Sequence, residues 1–136
     1  MMRNIFLLFV VALMTFSGTA YSQSNNKSIE ILYFKAKQCA CKAKTCNALE
    51  SDVKSVIDKN FSDKNIEFKR IWLKDTLNKA LIEKFNAKPQ TIVMVEKKRK
   101  KETITDLTEI VHNYSIKKNK EEFEVELQAK IAENLN

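Results

Sequence analysis

The chain has 136 residues, with 24 lysines and arginines against 17 acids and a formal charge of +7. It holds one glycine, Gly18, and one proline, Pro89. A Rossmann or P-loop phosphate cradle needs glycines for close backbone approach, so the composition excludes those nucleotide-binding folds.

Arg3 precedes an unbroken apolar run, Ile5 to Met14, and Ser17, Gly18, Thr19, Ala20 and Ser22 follow it. Charge, apolar core and small-residue exit are the order of a secretory signal peptide, expected over residues 1–22 with cleavage near Gln23. The run is shorter than the roughly 18 apolar residues that span a bilayer, so no stable membrane anchor is expected after cleavage. Periplasmic or secreted export follows, and it argues against a nucleic-acid partner. Cleavage removes Arg3 and no acid, so the chain stays basic.

A polar lead-in over residues 23–28 is expected to be mobile, and a single domain to occupy residues 29–136. Ile29 to Phe34 is rich in β-formers with apolar side chains on both faces, the pattern of a central strand. A loop over residues 35–44 carries Cys39 and Cys41. Thr45 is the expected N-cap of a helix whose inner stripe is Leu49, Val53, Val56, Ile57 and Phe61. Asn65 to Leu73 reads as a second strand that changes phase between Phe68 and Ile71, with Trp72 packing near its end. Asp75 should cap a short helix lined by Leu77, Leu81 and Phe85. Gln90 to Glu96 is a buried third strand, with Met94 in the core. Lys97 to Lys101 forms a polar turn into a fourth strand, Glu102 to Leu107. Thr108 is expected to cap a helical piece with Ile110, Val111 and Tyr114. Asn119 and Glu122 make a capping-box-like start for a last helix along Phe123, Leu127, Ile131 and Leu135.

The order β-α-β-α-β-β-α predicts an α/β domain of thioredoxin-like arrangement, a four-stranded mixed sheet with helices on both faces. A helix crossing between the first two strands makes them parallel, and the last two form an antiparallel hairpin.

The strand ending Tyr33-Phe34, the cysteine loop and Thr45-Cys46-Asn47-Ala48-Leu49-Glu50 resemble the thioredoxin-like proteins of the nitrophenyl-compound nitroreductase subunit ArsF-like family. Phe85-Asn86-Ala87-Lys88 before Thr91-Ile92-Val93-Met94-Val95 is similar to that family's approach to its third strand. Asp106 to Ile110 and Phe123 to Leu135 look like its closing helix. The resemblance implies a thiol–disulfide redox or electron-relay role. The family's C-x-x-C pair is matched only at Cys46, with Ala43 at the place of the first cysteine. Its cis-proline position is taken by Gln90, one residue after Pro89.

On the residues alone, Cys46 is the first candidate for chemistry. After a cap at Thr45 it would meet the free N–H groups of a helix start, and Lys35, Lys37, Lys42 and Lys44 would further favour its thiolate. The catalytic candidates are Cys46, Cys41 and Cys39, with Cys46 paired to one of the other two and the third free to relay. A second reading is capture of a soft ion, Cu(I) or As(III), by the thiolates of Cys39, Cys41 and Cys46. Zinc would want a fourth ligand, and His112 falls on a distant helix, where it should be partly exposed. A third alternative is a non-catalytic interaction module with one structural disulfide, including a homodimer linked through the odd cysteine. No flavin signature, Ser-His-Asp set or paired-carboxylate site is present, so no cofactor is expected. The partner is a thiol substrate or a protein redox partner.

Overall fold

The computed structural model describes residues 27–37 and 40–135, the side chains of residues 40–43 excepted. The expected signal peptide, most of the lead-in, and Cys39 lie outside the described residues. Strand β1 (Lys27–Lys35) is followed by helix α1 (Ala40–Asn60), β2 (Ile66–Trp72), a 3-10 turn (Thr76–Asn78) and α2 (Lys79–Lys84). Then come β3 (Ile92–Lys98), β4 (Lys101–Asp106), α3 (Thr108–Lys117) and α4 (Lys120–Glu133).

The sheet order is β2-β1-β3-β4. β1 runs parallel to β2 and antiparallel to β3, and β4 is antiparallel to β3. This is the expected mixed sheet. Ile29, Ile31 and Tyr33 of β1 pack with Ile92 and Met94 against α1, α3 and α4. The alternate residues Leu32 and Phe34 join Val93, Val95, Ile71 and the α2 segment on the other face. Both faces of the two central strands are thus covered, which is why neither strand alternates apolar with polar residues. The phase change in β2 has the same cause: Ile66 and Phe68 face α1, while Ile71 and Leu73 face α2.

Several boundaries differ from expectation. The lead-in is shorter, because Lys27 and Ser28 pair with Lys98 and Lys97 and so belong to β1. Helix α1 starts at Ala40, and Thr45 lies inside it. Ala40, Lys42, Ala43 and Lys44 are all good helix formers, so nothing local stops the helix from extending past Thr45 toward its N-terminus. Asp75 does cap, accepting from the Leu77 N–H at 3.0 Å. Leu77, however, lies in the 3-10 turn, out of phase with Leu81 and Phe85, and is 88% exposed. Thr108 is not a side-chain cap. Its hydroxyl instead accepts from the Ile92 N–H, while Asp106 accepts from the Thr108 N–H. Asn119 caps α4 as expected, accepting from the Glu122 N–H at 3.3 Å and donating to the Glu122 carboxylate at 3.1 Å. Met94 is in the core and His112 is exposed on α3. Among the described residues no helix is long and apolar enough to cross a membrane.

Candidate functional site

The site gathers where β1 ends, at the sheet edge shared by α1 and the chain leading into β3. Residues 29, 31 and 33 of β1 point toward α1, so Lys35 continues the same row. The preceding residues are apolar and hold Lys35 at the inner face, where it is 7% exposed. On α1, Cys46, Asn47, Glu50 and Val53 lie within about one third of the helix circumference, and that sector is turned to the sheet. Across from β1, Arg70 and Trp72 of β2 stand in register with Tyr33 and Lys35.

Cys46 is a free thiol, 5% exposed. The Gln90 side-chain amide donates to its sulfur at 3.4 Å, and the Tyr33 hydroxyl donates to its backbone carbonyl at 3.5 Å. Gln90 is held in the left-handed region, at φ 70°, and its N–H donates to the Phe34 carbonyl at 2.9 Å. The position expected for a cis-proline therefore presents a hydrogen-bond donor to the thiol. Burial pushes the Tyr33 phenol up from its ordinary value, and the negative charges available to Cys46 and Glu50 push it further. Tyr33 stays a donor across the physiological range.

Beside the thiol lies a network that the sequence reading missed. Glu50, 6% exposed, accepts from Lys35 Nζ through Oε2 at 2.6 Å. Its other oxygen, Oε1, accepts from Arg70 Nε at 2.6 Å and Nη2 at 2.5 Å. Lys35 also donates to Asn47 Oδ1. Trp72 is 41% exposed rather than packed away, with Lys35 Nζ 5.6 Å and the Arg70 guanidinium 5.8 Å from its ring centroid. One signal was available in the sequence: Lys35 and Glu50 extend apolar rows that face inward, and a buried charge must find a partner.

The structure also changes the electrostatic case for Cys46. It sits in the second turn of α1, so its own N–H is inside the helical ladder, and the helix-terminus effect fades beyond the first turn. Cys41 lies on the same unbroken helix, five residues earlier. Ideal helix geometry puts their Cα atoms about 8.7 Å apart, beyond the roughly 7 Å that a disulfide can bridge without backbone movement. A Cys41–Cys46 bond therefore requires residues 40–44 to leave the helix. Thr45 is exposed and would then be free to cap the shortened helix.

Among the described residues no group of three or more His, Cys, Asp or Glu side chains could hold a metal ion. His112, exposed on α3, is not drawn into the thiol site.

The chain matches no family model and no curated protein. It is similar to a solved structure described as "Structure of a malarial protein", at 22% identity and a TM-score of 0.38. The match covers 67% of this chain and 96% of that one.

Proposed function

We propose that this chain is an exported, thioredoxin-like thiol–disulfide exchange protein in which Cys46 is the resolving thiol. The observation that carries the reading is the burial of Cys46 beside Gln90, at the end of the sheet to which two further cysteines lead. A thiol 5% exposed is sheltered from bulky disulfides but can attack a mixed disulfide formed on a neighbouring cysteine. The sheet order, with its single parallel pair, supports the superfamily, and the residues around Cys46 and before β3 favour the ArsF-like family within it. Export rests on the signal pattern of residues 1–22.

The exchange runs in two steps. The thiolate of Cys39 or Cys41 attacks one sulfur of a substrate disulfide and expels the other as a thiolate. Cys46 then attacks the protein sulfur of the mixed disulfide, expels the second substrate thiol and leaves an intramolecular disulfide. Two protein thiols lose two electrons and two protons in total, and the substrate disulfide gains them. The Gln90 amide N–H supplies a donor to the Cys46 thiolate that must form.

The test is intact mass after the reduced, exported protein meets 2-hydroxyethyl disulfide. The native chain should end two hydrogens lighter with no adduct, and Cys46→Ser should accumulate the adduct on an upstream cysteine. Absence of both outcomes sinks the reading. So does a disulfide that resists mild reductant and never turns over, as does block of all three thiols by Cu(I) or As(III) without exchange.

A further inference from the structure

We infer that Arg70 and Trp72 form a subsite for a carboxylate on the incoming substrate, so that the site selects anionic disulfides over neutral and cationic ones. This deepens the thiol-exchange reading and rests on it.

The contacts leave one positive charge over. Lys35 and Arg70 share a single carboxylate, Glu50, and both of its oxygens are already engaged. Arg70 uses only its Nε–Nη2 edge on Glu50. Among the described residues nothing contacts Nη1, and the side chain is 49% exposed. The outer edge of the guanidinium is thus free, planar and pre-positioned to meet a carboxylate through two parallel N–H groups. Glu50 fixes that edge in place, so little side-chain entropy remains to be lost on binding.

Trp72 gives the subsite a wall. Its ring carries Lys35 on one buried contact and Arg70 on an exposed one, while 41% of the residue faces solvent. Such a surface takes the short apolar stem of a carboxylate-bearing thiol while Arg70 takes its charge. Lys37 and Lys44, on either side of Cys39 and Cys41 in the chain, are exposed and form no ion pair among the described residues. The connection to the thiol is short. Tyr33, in register with Arg70, donates to the Cys46 carbonyl, and Asn47, next to Cys46, accepts from Lys35.

Three disulfides of similar size and different charge test the inference on the exported protein. They are dithiodiglycolate (anionic), 2-hydroxyethyl disulfide (neutral) and cystamine (cationic). The expected order of kcat/KM is anionic, neutral, cationic, with the spread narrowing in 0.5 M KCl. Arg70→Gln should lower the anionic-to-neutral ratio about tenfold, through KM, which is the size of one charge-assisted hydrogen bond. Arg70→Lys should recover part of the ratio. Equal rates for the three, or an equal loss on all three in Arg70→Gln, overturns the subsite. Trp72 is the only tryptophan in the chain, so its emission reports binding directly. The unreactive dicarboxylate 3,3′-thiodipropionate should change that emission saturably, and its dimethyl ester should not. If none of the disulfides turns over, the exchange reading fails on its own, and the fluorescence titration still decides the subsite.

Discussion

Where β1 stops, a lysine and a carboxylate are folded inward, and a half-exposed arginine reaches over them. Lys35 and Glu50 are each under a tenth exposed, and Arg70 closes the set of contacts. At the opposite end of the sheet the β3–β4 hairpin holds Lys98, Arg99, Lys100 and Lys101 in solvent, with no ion pair among the described residues. The hairpin is the more conspicuous feature in the sequence, five basic residues in a row. The inward set is three residues scattered over 36 positions of chain. Yet charge matters to a fold by how far it is desolvated, and of all these only Lys35 and Glu50 are. The hairpin's lysines cost little to keep and little to remove. The inward set constrains β1, β2 and α1 together, beside the thiol.

The largest test of that contrast is Glu50→Ala, which leaves Lys35 buried without its carboxylate. Breaking a buried pair in this way should cost about 3–5 kcal/mol in urea unfolding. A loss under about 1 kcal/mol would put the network on a par with the hairpin. Next is the state of α1. Oxidation that maps to Cys41–Cys46 should strip amide-exchange protection from Lys44 to Asn47, because the bond cannot form on the intact helix. Retained protection with that same pairing would contradict the helix geometry.

A smaller effect is expected from pH. The side chain of Lys69 at 2.6 Å, with that of Lys97 at 3.0 Å, holds the Glu30 carboxyl below its ordinary 4.5. A carboxylate lowered on folding adds stability that is present above that ordinary value and is lost as pH falls through the lowered one. Glu30→Gln should flatten the acid limb of stability by less than about 1 kcal/mol. The smallest effects belong to the hairpin. Arg99 sits at φ 56°, so Arg99→Gly trades relief of a left-handed backbone against added freedom in the unfolded chain. Its net change in thermal stability should stay within about 0.5 kcal/mol.

How far the fold was legible follows from the same contrast. The apolar rows of α1 and α4 are periodic in the local sequence and those of β1 and β3 are continuous apolar runs, and each is buried as that pattern requires. Leu77 was misplaced because a 3-10 turn breaks the helical phase on which the expectation depended. The strand and the helix that flank the cysteine segment were readable, but the helix was expected to start after Cys41, and Cys41 lies inside it. The burial of Cys46 and its contact with Gln90, 44 residues away, were not readable, since nothing local encodes that approach.

The sequence by itself determined the order of elements and the two-sided burial of the central strands. Hydrophobic period and connection handedness act over short stretches and suffice for that. Only the tertiary structure decided that α1 begins at Ala40 and that Gln90 faces the thiol. It also decided that Lys35, Glu50, Arg70 and Trp72 form one cluster. Those outcomes depend on side chains from three elements meeting in a low-dielectric space, where an unpartnered charge is too costly to leave alone.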